Sequence, residues 1–353
     1  MNRMQSCMVA LTLLVVSVAP GYGQTVTIAK SGKQPRVALA PTGIVCVVFG
    51  QDDAVYCATS QDGGRTYSEP VRAGAVEKLM CGMRRGPQIA AAKDAVVITA
   101  IGKAGNIQCR RSEDWGKTWS DGGKVNDKDG SAKEGLHAIC AGAENEVFAV
   151  WLDLRDNKTK LFGSLTTNGG KTWSKNILIY ESPSGSICEC CQPSVASDLK
   201  GTYYIMWRNS LKGDRDMWMA TSKDGRTFLR PQKLGTGSWR LEQCPMDGGS
   251  IAVSSQGKVI TVWRRERKVY LCFPGQKEDL LGDGSQPQVA MAQDRAYEVW
   301  QEKGQVVFKG PAVTGPASLG NGGFASVAAN PDRPGPVIVV WEQNGSVSGA
   351  VAK

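Results

Sequence analysis

What this chain lacks narrows it first. It has one histidine, His137, in 353 residues, and its cysteine spacings match no standard zinc module, which sets those modules aside. Beyond the first two dozen residues no stretch is long and apolar enough for a transmembrane helix. No linker or low-complexity tract divides the sequence, so a single domain is expected over 24–353. Nucleic-acid motifs are missing and the lysines and arginines are dispersed; nucleic acid is not an expected partner.

What is present starts at the N-terminus. Residues 1–23 read as a secretory signal: Arg3, then an apolar core from Met8 to Ala19, then Gly-Tyr-Gly before Gln24. The expected product is exported, either secreted or periplasmic. Cys7 falls inside this segment, so an even number of the 11 cysteines is left, and an even number in an exported chain suggests disulfides. The formal net charge of +9 favours anionic partners, acidic sugars among them.

One short phrase recurs four times: Ser60-x-Asp62-x-Gly64-x-Thr66-Tyr67, Ser112-x-Asp114-x-Gly116-x-Thr118-Trp119, Thr166-x-Asn168-x-Gly170-x-Thr172-Trp173 and the shorter Ser222-x-Asp224-Gly225-x-Thr227-Phe228. Asp or Asn accepts backbone hydrogen bonds within the turn, Gly supplies φ > 0, and the aromatic packs beneath. Around these turns runs a longer repeat. Its apolar middle usually closes on Trp: IVCVVF (44–49), VVITAI (96–101), VFAVW (147–151), YYIMW (203–207), VITVW (259–263), AYEVW (296–300) and VIVVW (337–341). Such spacing predicts an all-β repeat fold of seven four-stranded units, with six as the alternative count. The last unit stops after its third strand, and the spare strand TVTIAK (25–30) is expected to close it. Trp207, Trp263, Trp300 and Trp341 recur at one position per unit and read as packing residues.

The recurring phrase resembles the Asp box, or BNR repeat, of the sialidase superfamily, whose members are β-propellers. The resemblance rests on the four boxes and implies a propeller. A count of seven departs from the six blades of sialidases. In a propeller blade, the 1–2 and 3–4 turns share one face, while the 2–3 loops and 4–1 crossovers share the other. Sorted this way, the crossover face gathers Arg84, Arg85, Glu134, His137, Asp153, Arg155, Arg208, Asn209, Asp247 and Arg264 around one channel mouth. Arginines held among carboxylates are a common design for gripping a carboxylate or phosphate.

The resemblance implies a carboxylate grip by three arginines. Arg84 or Arg85, with Arg208 and Arg264, fit it; Arg155 and Asn209 are further substrate-binding candidates. Asp153, Asp247 and Glu134 are the catalytic candidates, one of them protonating a leaving oxygen as glycosidase carboxyls do. The sialidase Tyr–Glu nucleophile pair has no good counterpart, because Tyr180-Glu181 falls on a fourth strand. Two functions stay open: a glycoside hydrolase of sialidase type, and a non-catalytic propeller that holds an acidic glycan, peptide or protein.

A third reading concerns Cys188-x-Cys190-Cys191, which shares the crossover face with Cys81, Cys244, Met246 and His137. A Cys188–Cys244 or Cys81–Cys188 disulfide, a vicinal Cys190–Cys191 bond, and a soft-metal site for Cu or Zn with His137 or Met246 are the alternatives. No other cofactor is expected. Cys46 and Cys57 are placed for a cross-strand bond; Cys109, Cys140 and Cys272 read as strand thiols.

Overall fold

The computed structural model describes residues 23–352 apart from Arg333. The signal-segment reading falls almost wholly outside the described residues. Twenty-eight strands form seven four-stranded antiparallel sheets, and no helix occurs among the described residues. The sheets are the blades of a ring, at residues 33–75, 88–124, 137–180, 194–233, 250–283, 285–321 and, for the seventh, 323–352. Its fourth strand is Val26–Ala29, paired with Ser346–Ala352 through Val26↔Gly349 and Ala29↔Val347. The seventh blade thus joins both ends of the chain, as the incomplete last repeat predicts, and its sheet edge is covered.

The second strands explain why the apolar runs are continuous rather than alternating. Each lies between two neighbouring blades, so both faces are buried. Val45–Gln51 is buried at every residue but the last, and Val147–Asp153 throughout. The clusters that hold the ring together are contacts between blades. Val97, Ile101 and Ile107 of blade two pack on Val147, Ala149 and Trp151 of blade three. Ile338, Val340 and Val347 of blade seven pack on Val45, Val47 and Phe49 of blade one. Trp151, Trp207, Trp300 and Trp341 are fully buried there, and Trp263 nearly so. Their role is packing.

The four Asp-phrase segments fold as turns between third and fourth strands. In the first, Asp62 Oδ1 accepts from the Arg65 and Thr66 N–H groups at 3.0 Å each, and the Gly64 N–H donates to Ser60 Oγ at 2.8 Å. The Thr66 hydroxyl and backbone hold the Asp62 carboxyl far below the usual range. Gly64 has φ +87, and a Cβ there would press on Ile338 of the neighbouring blade, so only glycine fits.

Three first strands carry a bulge. In Lys33–Leu39, Ser285–Ala292 and Gly323–Ala328 the register shifts near the start, at Gln34, Gln286 and Phe324, all with φ between +52 and +56. A bulge turns a backbone N–H out of the ladder. The Gln34 N–H is spent on Glu342 at 3.1 Å and the Gln286 N–H on Asp247 at 2.8 Å. These bulges shape the crossover end of the channel.

Candidate functional site

The crossovers deliver a charged cluster to the channel mouth, as the topology argument requires. Its centre is Asp247, fully buried just before the inner strand of blade five. One carboxylate oxygen accepts the Gln286 N–H at 2.8 Å and the Arg264 guanidinium at 3.4 Å. Its Oδ1 has no hydrogen-bond partner. Burial raises the carboxyl, while the Gln286 N–H, Arg264, Arg84 and Arg208 pull it down. Three guanidinium groups therefore act on one buried carboxylate.

Arg84 and Arg85 are sorted by backbone geometry. Met83 and Arg84 both sit in the left-handed region, at φ +51 and +68. This throws Arg84 across the channel from blade two. It donates to Gln286 Oε1 at 2.5 Å, to the Gln286 carbonyl, and to the Ala325 carbonyl of blade seven at 3.1 Å. Burial pulls its guanidinium down to about 10, against the pull of Asp247 upward. Arg85 turns the other way. It bonds the Glu134 carbonyl at 2.5 Å and lies 3.6 Å from the Glu134 carboxylate, both side chains partly exposed. Burial raises the Glu134 carboxyl; Arg85 opposes this and Glu189 adds to it.

Arg208 is buried and donates only to main-chain carbonyls: Asp247, Arg264 at 2.8 Å and Arg215 at 2.7 Å. Arg208 and Arg264 both stack on Trp239, at 5.2 and 5.6 Å from a ring centroid. Arg264 stays partly exposed, its Nε donating to the Glu266 carbonyl at 2.6 Å.

Other expected site residues are tied into the scaffold. Asp153 is fully buried, accepting the Trp151 indole N–H at 2.8 Å and the Arg155 guanidinium at 2.9 and 3.0 Å. Arg155 also pairs with Asp127 at 3.2 Å and lies over the Phe162 ring. Both belong to the bonding of blade three rather than to an open mouth. Asn209 is buried and donates to Tyr180 Oη at 2.8 Å; Tyr180 packs on Trp207 and Glu181 pairs with Lys160. His137 is buried, with Nε2 3.0 Å from the Thr99 hydroxyl and no partner on Nδ1. Burial drops its imidazole to about 4, so it is neutral at pH 7.

The sulfurs cluster as the sequence suggested, with a different bridge. Cys190 is bonded to Cys244. This corrects the Cys188–Cys244, Cys81–Cys188 and Cys190–Cys191 alternatives; the crossovers before blades four and five meet at Cys190, and Cys81 is a separate thiol. Cys46 and Cys57 are free, being out of register on neighbouring strands. The Sγ atoms of Cys188, Cys190 and Cys191 lie within 4.8 Å of one another, all buried, and Met246 packs on them. His137 is not in this group.

Sequence reasoning missed the inner layer of the mouth. Arg36 of blade one bonds Gln288 of blade six at 3.1 Å and Gln192, just before blade four, at 2.7 Å; Gln192 donates on to the His137 carbonyl of blade three. Burial and the neighbouring Arg84 hold Arg36 well below its ordinary value. The signal was present: an arginine inside the innermost strand PRVAL must face the channel or a neighbouring blade. A cavity of about 610 Å³ lies at the opposite end, lined by small residues such as Ala90, Ala252 and Ala328 from all around the ring. It belongs to the Asp-turn face, and the Lys93–Glu144 ion pair stands in its wall.

No protein-family model and no curated protein matches the chain. Solved structures match its fold. An α-L-arabinanase of Penicillium chrysogenum, complexed with arabinobiose, is 13% identical over 95% of this chain and 99% of its own, with a TM-score of 0.53. A polysaccharide lyase, an ulvan lyase bound to a GlcA–Rha3S oligosaccharide, is 10% identical over 93% and 96%, at 0.57. The Hadza microbial sialidase Hz136 is 14% identical over 92% of this chain and 66% of its own, at 0.52. Identities this low establish the shared propeller fold and nothing finer.

Proposed function

We propose that this chain is an exported propeller that recognises an anionic glycan at its crossover mouth and does not cleave it. One observation carries the reading: buried Arg84 and Arg208 donate to carbonyls and an amide oxygen, and of the three arginines only Arg264 pairs with the buried Asp247 carboxylate. The mouth therefore holds more positive charge than it neutralises. Arg84 and Arg208 spend their donors on the protein itself. They build the field; Arg264 and Arg85, partly exposed, are the groups that meet a ligand. Guanidinium forks suit the carboxylate of a uronic acid or the sulfate of an acidic sugar. The glycan class is drawn from the fold neighbours, which include an arabinanase holding arabinobiose and an ulvan lyase holding a GlcA–Rha3S oligosaccharide. Two of the three catalytic candidates argue against hydrolysis: Asp153 and Asp247 are sealed from solvent.

Titration calorimetry with a uronate-containing oligosaccharide and a neutral one tests this. The acidic ligand should bind, Arg264→Ala should weaken it about tenfold or more, and no reducing ends should appear. Equal affinity for the neutral sugar, or an unchanged Arg264→Ala, refutes the reading. One observation favours a hydrolytic alternative: Glu134 is half-buried with a raised carboxyl and Glu189 beside it, as an acid catalyst requires. Release of reducing ends that stops in Glu134→Gln would establish that alternative.

A further inference from the structure

We propose that Cys188 and Cys191 form a binding site for a monovalent soft metal ion, copper(I), with the Met246 thioether as a third donor. The argument begins with the donor set. Cys188 and Cys191 are free thiols with Sγ atoms 3.2 Å apart, both buried. Cys190 lies within the same 4.8 Å group, and Met246 packs on it. Every donor is sulfur; His137 and the carboxylates stand outside the group. A thiolate and thioether set selects soft ions, and the thioether favours copper(I) over zinc.

The second observation is electrostatic. Two thiols binding Cu(I) release two protons and leave a complex of charge −1. Buried Arg208 lies against this group, its carbonyl accepting the Cys188 N–H at 3.1 Å. Arg208 donates to no carboxylate, only to main-chain carbonyls. An anionic thiolate complex supplies the countercharge that its hydrogen bonds do not.

The Cys190–Cys244 bridge has a separate task. It ties the crossover before blade four to the crossover before blade five, which brings Met246 against the thiols. The bridge stays intact on binding, so no oxidant or reductant is consumed. Access is from the bridge side, where Cys244 is exposed and Met246 partly so.

The test is anaerobic titration of the purified full-length protein, bridge intact, with Cu(I) delivered as its bicinchoninate complex. One Cu(I) per chain should be withdrawn, with only sulfur neighbours by X-ray absorption. Cys188→Ser and Cys191→Ser should abolish uptake, while Cys272→Ser, a buried thiol on blade five, should keep it. Met246→Leu conserves volume and leaves both thiols, so it should fold and bind about tenfold more weakly. No uptake by protein whose thiols titrate as free overturns the proposal. So do uptake unaffected by the Cys188 and Cys191 variants, preference for zinc(II), and a Cys188–Cys191 disulfide found by peptide mapping of the isolated protein.

Discussion

Two buried titratable side chains pull the pH dependence of stability in opposite directions, and removing one should expose the other. Glu298 is buried on the second strand of blade six. Burial pushes its carboxyl up from 4.5 to about 7, against the pull of Lys309 opposite it. Between those values the native protein holds a proton that the unfolded chain has released. Its stabilising share is full below pH 4.5 and is lost as pH rises through 7, at about 1.4 kcal/mol per pH unit. His137 does the reverse. Burial lowers it from 6.5 to about 4, so the unfolded chain holds a proton that the native protein lacks. Its share is full above pH 6.5 and is lost as pH falls through 4, with a similar slope.

Between pH 4.5 and 6.5 the two slopes cancel, so these groups leave the wild-type profile flat there. Glu298→Gln keeps the shape of the protonated carboxyl and cannot ionise. The variant should match wild type near pH 4.5 and exceed it by about 3 kcal/mol at pH 8. Its own profile should fall by about 2–3 kcal/mol from pH 6.5 to 4.5, the unmasked His137 term. Urea unfolding followed by circular dichroism across pH 4.5–8 reads both quantities. A difference between variant and wild type that is the same at pH 4.5 and pH 8 refutes the reasoning, because Glu298 would then titrate alike in the native and unfolded chain.

Two further perturbations follow from the ring and its mouth. Asp247→Ala removes the acceptor of the buried Gln286 N–H and of the Arg264 guanidinium and should destabilise by about 1–3 kcal/mol, read as a lowered denaturation midpoint. Deleting residues 23–30 removes the buried Ile28 and Ala29 and uncovers the edge of Ser346–Ala352. It should lower the thermal midpoint and raise concentration-dependent light scattering, and an unchanged midpoint would mean the strand closes nothing.

The ring was legible because its signals repeat. Four Asp turns and seven apolar runs set the period, and the truncated last repeat left only TVTIAK to complete it. Repetition averages out local ambiguity. The mouth was legible only as a set of loops, because loop residues do not repeat and their side-chain directions hang on single backbone angles. Arg84 and Arg85 are neighbours in sequence yet point to different blades, and the left-handed φ of Met83 and Arg84 decides which joins Asp247. Arg36 was hidden for another reason. It sits between Pro35 and Val37 in the first strand of blade one, and its partners Gln192 and Gln288 are 156 and 252 residues away. The bridge followed the same rule: Cys190 meets Cys244 because blades four and five are adjacent, and adjacency leaves several cysteine pairs open until the crossovers are placed.

The two ends of the channel are built on opposite principles, and this bears on what the protein can bind. At the Asp-turn end the inner strands present alanines, and a cavity of about 610 Å³ stays open. At the crossover end arginines fill the axis, and their donors are taken by carbonyls and amides. Buried guanidinium groups tolerate this only when their hydrogen bonds are satisfied, which makes that end rigid. On the proposed function, a ligand meets the charge of the Arg84 and Arg208 layer and contacts the partly exposed Arg85 and Arg264 at the surface. Recognition by such a layer discriminates on charge more than on depth. On the proposed function, charge, rather than chain length or linkage, is then the variable by which sugars should separate on this protein.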